Sequence, residues 1–264
     1  MPTEPRVLAV IPARWASSRF PGKPLANIVG VPMIQRVLSQ TQKAKCVTEV
    51  IVATDDTRIL EVVNNNGGTA VMTSVDHESG TDRVAEVARD RDCDIVVNVQ
   101  GDEPLMPPQN IDQVVIPLIE DSSTLVSSLR ILIQDPKELW NRNITKVVVD
   151  NFDSALYFSK APIPWNRDAW SEDRPKTLNS SLWFKHVGLY AYRKKFLMEY
   201  TSLPLTPLEN MEKLEQLRIL ENGFSIKVVE TAFDSTGVDS EADIKIIEKQ
   251  LALSPPRKLI SRGT

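Results

Sequence analysis

Short apolar runs alternate with segments of helical period through the first half of the chain, and this alternation is the strongest constraint on its fold. Val7 to Ile11, Glu49 to Thr54 and Asp94 to Val99 have the length and β-branched content of buried strands. Met33 to Lys43, Thr57 to Asn65, Asp82 to Asp90 and Pro108 to Glu120 carry apolar residues at helical spacing. Such a succession reads as βαβ units, so the expected class is α/β, a doubly wound, mostly parallel sheet with helices on both faces. Ligands collect outside the carboxyl ends of the strands in such sheets, which directs attention to the loops after Ile11, Thr54 and Val99.

The second half changes character. Leu125 to Leu132, Lys146 to Val149, Ala155 to Ser159 and Val187 to Tyr192 read as further strands, with a loop rich in Pro, Trp, Ser and charge from Pro162 to Ser181. One helix is expected from Pro207 to Glu221, with proline in its first turn and Asn222-Gly223 as its stop. A last strand and helix follow from Ser225 to Leu251, and the polar tail from Ser254 to Thr264 reads as frayed. One domain with an insertion accounts for the 264 residues.

Charge excludes several function classes. A net charge of -4 gives no footprint for duplex DNA or an anionic membrane, so any phosphate must be held by a local cluster. Apolar runs fall far short of the roughly 20 residues that span a bilayer, and the start of the chain lacks the regions of a signal peptide. A cytoplasmic protein without membrane insertion is expected. Cys46 and Cys93 have no CxxC or paired histidine around them and read as reduced and structural.

Three constellations carry chemistry. Directly after the first strand, Arg14, Arg19 and Lys23 lie in a segment whose prolines restrict the backbone and whose Gly22 permits close approach. That suits a loop wrapping a polyphosphate, against the alternative of a solvated basic loop. It is neither a GxGxxG nor a Walker A sequence, which disfavours a dehydrogenase or a P-loop ATPase. His77-Glu78-Ser79-Gly80-Thr81-Asp82-Arg83 offers hydroxyls and backbone N–H groups ahead of a helix, and serves equally well as a plain N-cap by Ser79 or Thr81. Val97 to Pro104 is a buried strand ending at Gln100, Gly101 and Asp102, where a carboxylate stands ready for a phosphate-bridging magnesium ion. Asp239, in Thr236-Gly237-Val238-Asp239, is either a second metal acid or a helix N-cap.

Together, PAR-x-x-S-x-R-x-PGKPL, VATDD, HxSGTDR, VNVQGDEP, IPW-x-R, H-x-GLYAYR, PLE-x-x-E-x-LEQLR and TGVD closely resemble the 3-deoxy-manno-octulosonate cytidylyltransferases, or CMP-KDO synthetases, in the family's order from about residue 7 to 250. The resemblance implies a nucleotidyltransferase-type fold with an inserted dimerisation and sugar-binding region, and a homodimer built largely through the second half. Nucleotide binding would occupy about 1–125, sugar binding and dimerisation about 126–252, and the tail 253–264. The implied reaction couples CTP to an acid sugar for lipopolysaccharide synthesis with Mg2+. Carried over by position, Arg14, Lys23, Asp102 and Asp239 are the catalytic set, with the two aspartates as metal ligands. Arg14, Arg19, Lys23, Ser79, Gly80, Thr81, Arg83 and Gln100 form the nucleotide side; Gln100, Lys160, Arg167, His186, Tyr190, Glu215 and Gln216 form the sugar side.

Lys160 departs from the arginine expected there, replacing a fork by a point charge, while Trp15 in place of the usual Tyr reads as incidental. Without the resemblance, His186 reads also as a core histidine, Tyr190 and Tyr192 as one packed strand face, and Glu209, Glu212 and Glu215 as a solvated helix face. The rival substrate is 8-amino-KDO or another acid sugar such as sialic acid; the rival class is a nucleotide-sugar-binding regulator without turnover.

Overall fold

A computed structural model describes residues 5–16, 20–168, 170, 177–178 and 182–253. Arg19, the tail from 254 and part of the 162–181 loop lie outside the described residues. The central strand, β1 (Val7–Ala13), explains why its sequence is apolar without alternation: it is buried on both faces. Val7, Ala9, Ile11 and Ala13 enter one core, while Leu8 and Val10 enter another on the opposite face.

From β1 the chain passes a short hairpin of β2 (Asn27–Ile28) and β3 (Val31–Pro32) into α1 (Met33–Thr41). It returns as β4 (Glu49–Thr54), parallel to β1, and steps outward through α2 (Thr57–Asn65) to β5 (Ala70–Met72), parallel to β4. Then α3 (Gly80–Arg89) carries it back, and β6 (Ile95–Asn98) joins the other side of β1, again in parallel. Strand order reverses at β1, so the switch point lies at the carboxyl ends of β1 and β6.

Next come α4 (Pro108–Glu120), β7 (Val126–Leu132), α5 (Pro136–Trp140), β8 (Lys146–Val149), β9 (Ala155–Ser159), β10 (Phe184–Arg193) and α6 (Lys194–Tyr200). The chain closes with α7 (Pro207–Glu212), α8 (Gln216–Glu221), β11 (Lys227–Glu230) and α9 (Glu241–Leu253). Among the described residues the sheet has nine strands, in the order β11-β7-β10-β6-β1-β4-β5, with β8 on β10 and β9 on β8. Only β10 and β9 run against the other strands. The α/β, mostly parallel, doubly wound expectation therefore holds.

Two expectations need correction. The helix expected over Pro207 to Glu221 is two helices, because Lys213 takes a left-handed conformation with φ 56°. The Glu209 carboxylate is buried, not on a solvated face, and is gripped by Arg218 at 2.7 and 2.6 Å. In an unbroken helix nine residues would leave the two on opposite sides, about 13 Å apart along the axis, so the break is what lets them meet. The strand expected over Val187 to Tyr192 begins earlier, at Phe184. Its polar start is accommodated because Lys185 bridges Glu138 and Asp234 at 2.6 and 2.7 Å.

Lys146 at the head of β8 is fully buried. Its three ammonium donors meet the carbonyls of Asn141, Ile144 and Lys160 at 2.9, 2.6 and 2.7 Å, a full complement for the group. Burial, helped by the charge of Lys160, pulls its pKa down to about 8. The bonds tie the turn before β8 to the end of β9, which carries Lys160.

Close approach at the switch point demands a glycine at 101, since a Cβ there would lie 2.5 Å from the carbonyl oxygen of Pro12 in β1. Gly101→Ala must push the ends of β1 and β6 apart, and overpacking of this kind costs about 1–3 kcal/mol. Urea unfolding of the variant is expected to show that loss; an unchanged midpoint would mean the strand ends are not in contact.

Candidate active site

At the switch point lies a cavity of about 380 Å³. The basic loop after β1 contributes Arg14, which is exposed, and Lys23, which opens a 3₁₀ turn at Lys23–Leu25. Gly22 closes the loop with φ 71°, its N–H donating to the carbonyl of Trp15 at 3.1 Å. The Trp15 ring packs where a Cβ on Gly22 would stand, 2.9 Å from its nearest carbon, with the Arg58 guanidinium 3.3 Å from the ring centroid. Trp15 is thus a structural part of the loop.

Asp102 and Asp239 enter the same cavity from different segments. Their backbones are joined by the Val238 N–H donating to the Asp102 carbonyl at 2.9 Å. Lys23 ties them further: its Nζ donates to Asp102 Oδ2 at 2.6 Å and to the Val238 carbonyl at 2.9 Å. Asp239 is not the N-cap of α9. Ser240 precedes the first helical residue, and Asp243 reaches back to the N–H groups of Asp239 and Ser240 at 3.0 and 2.8 Å.

The opposite wall is the amino end of α3. Ser79 caps it in a capping box with Asp82, and Ser79 and Gly80 line the cavity. Thr81 is buried instead, donating from Oγ1 to Glu215 Oε2 at 2.9 Å and accepting from Asn98 Nδ2 at 3.3 Å. Glu215 lines the cavity from the break between α7 and α8. Burial raises its pKa, with the Thr81 hydrogen bond opposing.

Arg83 reaches the cavity edge, but its guanidinium is committed to Asp55 Oδ2 at 2.8 Å and to the Thr73 hydroxyl. Asp55 Oδ1 in turn accepts the Trp15 N–H at 3.4 Å, so this pair braces the basic loop. Removing one partner of a buried pair strands the other charge, at about 3 kcal/mol. Arg83→Met is therefore expected to lower thermal stability by that order, measured by calorimetry; a variant as stable as the parent would show the pair to be dispensable.

On the sugar side the expected residues are more dispersed. Gln100 lines the main cavity, whereas His186 lines an adjoining cavity of about 410 Å³ together with Glu103, Gly188 and Gly237. Residues close in sequence line the two cavities, with Asp102 and Asp239 in one and Glu103 and Gly237 in the other. Tyr190 is buried, stacked on Tyr192 at 5.8 Å and set 5.3 Å from the His186 ring. Gln216 is buried on α8. Lys160 is half-buried, donating from Nζ to the Asn143 carbonyl at 3.1 Å, and burial lowers its pKa against the pull of Glu212 and Asp239. Arg167 stands exposed on a turn and lines neither cavity.

Asp55 and Asn98 fall within the VATDD and VNVQGDEP motifs, yet the sequence assigns no individual role to them, nor any to Thr73 or Ser128. Glu212 is not on a solvated face, since it binds the Ser159 hydroxyl and the Lys160 N–H at 2.6 and 2.9 Å.

Among the described residues no group of three or more His, Cys, Asp or Glu side chains gathers to hold a metal. Two carboxylates beside cationic side chains are the donor set of an ion that completes its shell with phosphate oxygens and water, the pattern of magnesium.

Comparison with known proteins places this geometry in context. A family model described as cytidylyltransferase matches residues 8–230. The 3-deoxy-manno-octulosonate cytidylyltransferase of Geobacter metallireducens is 52% identical over 92% of this chain and 97% of its own length. Its namesake in Geotalea daltonii is 53% identical over 92% and 98%. A solved CMP:2-keto-3-deoxy-manno-octonic acid synthetase in complex with CTP superposes with a TM-score of 0.87 at 41% identity, covering 94% of this chain and 99% of that one.

Proposed function

Because the chain belongs to the cytidylyltransferase family, we propose that it transfers CMP from CTP to the anomeric hydroxyl of 3-deoxy-D-manno-octulosonate, giving CMP-KDO and pyrophosphate for lipopolysaccharide synthesis. The observation that carries this is the pairing of Lys23 with Asp102 at the switch point, opposite the amino end of α3. A cationic loop, an anion-favouring helix end and two acids surround one space of nucleotide dimensions. The relatives' shared name favours KDO over its 8-amino counterpart.

The sugar's anomeric hydroxyl oxygen attacks the α-phosphorus in line. As that P–O bond forms, the α–β bridging P–O bond breaks and pyrophosphate leaves with the electron pair; the hydroxyl proton passes to solvent. No protein nucleophile is needed, and positioning with charge neutralisation supplies the acceleration. Arg14 and Lys23 neutralise the departing phosphates, while Ser79 and Gly80 hold the nucleotide at the end of α3. Asp102 and Asp239 are the residues that would hold Mg2+, which when bound would supply Lewis-acid charge to the phosphates and lower the proton affinity of the attacking hydroxyl. Gln100 and Glu215 stand between the two substrates.

The same reading includes a homodimer through the second half. Support comes from Leu156 on β9, Phe152 at the β8–β9 turn and Met211 on α7, which are 62%, 76% and 83% exposed. In addition, beyond Ala155, whose N–H donates to the Ile226 carbonyl at 2.9 Å, β9 pairs only with β8 among the described residues. A cytoplasmic setting accords with two unpaired cysteines. Among the described residues no helix is long and apolar enough to cross a membrane.

Phosphorus NMR and mass spectrometry of a mixture with CTP and KDO test the reaction. A CMP–sugar ester formed in step with pyrophosphate supports it; CTP bound but unconsumed with every acid sugar supplied would favour a non-catalytic binder.

A further inference from the structure

Buried in β7 and facing β10, Ser128 belongs to no constellation legible in the sequence, yet it touches a residue of the sugar side. The register of β10 against β7 shifts between Val187 and Tyr190. At this irregularity the carbonyl oxygens of Val187 and Leu189 lie 3.2 and 2.9 Å from the Ser128 Oγ. A third neighbour, His186 Nε2, lies at 2.7 Å.

The proton count of these four atoms favours one arrangement. A serine hydroxyl has a single hydrogen, and carbonyl oxygens only accept. If Ser128 gave its hydrogen to the imidazole, two carbonyls would face the oxygen's lone pairs with no proton between. When the hydrogen goes to a carbonyl, His186 Nε2 must be the donor to Ser128. Nδ1 is then the unprotonated nitrogen, an acceptor without a protein partner among the described residues.

We propose that Ser128 is a positioning residue that locks His186 in its Nε2–H form, so that Nδ1 recognises the acid sugar by accepting a hydrogen bond from one of its hydroxyl groups. The proposal rests on the sugar-transfer reading for its ligand, but the tautomer itself does not. Burial, aided by the positive charge of Lys160, pushes the His186 pKa down to about 3, so the ring is neutral under working conditions and able to accept. The ring plane is fixed by packing edge-on against Phe158 at 5.0 Å and beside Tyr190 at 5.3 Å. A rigid acceptor at this point selects a hydroxyl donor and gives nothing to a carboxylate, which would be left to Lys160 or another cation.

Nitrogen-15 NMR of histidine-labelled protein tests this directly, because the chain has only two histidines and His77→Gln assigns the signals. Without substrate at neutral pH, His186 is expected to show a protonated Nε2 and an unprotonated Nδ1. Ser128→Ala should move both signals toward a tautomer average and raise the KM for KDO about tenfold, the loss of roughly one hydrogen bond. The KM for CTP should not change, and Ser128→Thr should restore the parental pattern. A merely structural role would lower the active fraction and hence kcat, leaving both KM values and the tautomer alone. A protonated Nδ1 in the parent overturns the proposal, as does an unchanged tautomer or an unchanged KM for KDO in Ser128→Ala. Should the variant fail to fold, the parent spectrum still decides the tautomer. Absence of turnover with KDO would sink the sugar-transfer reading while the spectra still judged Ser128.

Discussion

Asp102→Asn is expected to lower kcat by about 1,000-fold while leaving the fold intact. The residue stands at the end of β6, where it pairs with Lys23 across a partly open cavity, so little stability depends on it. Its charge is what the proposed chemistry needs. An amide of the same shape keeps a weak oxygen ligand but no longer attracts a divalent ion, so electrostatic stabilisation of the phosphates is lost with the metal. Removal of one preorganised electrostatic group costs on the order of 100- to 1,000-fold in other enzymes, and here two charges go together. Steady-state rates over a magnesium titration check it: the variant should need far more magnesium and should not regain the parental rate. Full activity at ordinary magnesium would place the metal elsewhere.

Lys23→Met carries the second largest effect, a fall of about 100- to 1,000-fold in kcat/KM for CTP. Its ammonium is the counter-charge of Asp102, held also by the Val238 carbonyl. Bound triphosphate would compete for that ammonium, and Asp102 would be released toward the metal. The substitution thus removes a phosphate contact and leaves Asp102 without its partner in the free enzyme. The KM for CTP should rise and kcat should fall, with the KM for KDO the least affected. Lys23→Arg is not expected to rescue, because a planar fork cannot replace a compact ammonium bridging one carboxylate and one carbonyl at 2.6 and 2.9 Å. A variant altered only in thermal stability would make Lys23 a structural strut.

The first half of the chain was legible to within a residue or two wherever local chemistry fixes an element. For α2, Asp56 accepts the Arg58 N–H as an N-cap, and α4 begins on a proline whose missing N–H needs no partner. The β1 and β4 runs are apolar because both faces are covered. Topology then did the rest, since the expected loops after the first strand and after Val99 deliver Arg14, Lys23, Gln100 and Asp102 to one cavity.

The second half was less legible because long-range partners override local pattern. Nothing in Pro207 to Glu221 announces that Lys213 turns left-handed, since the driving contact joins Glu209 to Arg218 across the break. Charged Lys185 hid the early start of β10 because its two carboxylate partners come from α5 and the segment before α9. Spacing did not separate Thr81, committed to Glu215, from its neighbours Ser79 and Gly80, which face the cavity. Likewise the residues expected on the sugar side lie on β10, α8 and just past β9, and their relation depends on a bulge and a helix break that period alone does not reveal.

The most direct test of the central claim is the initial rate of pyrophosphate release from CTP and KDO with magnesium, set beside reactions containing EDTA, UTP in place of CTP, or no sugar. Cytidylyl transfer predicts release that requires CTP, KDO and magnesium together, is abolished by EDTA and is strongly reduced with UTP. Release that proceeds without KDO would mean plain nucleotide hydrolysis, and no release with the complete mixture would contradict the assigned reaction.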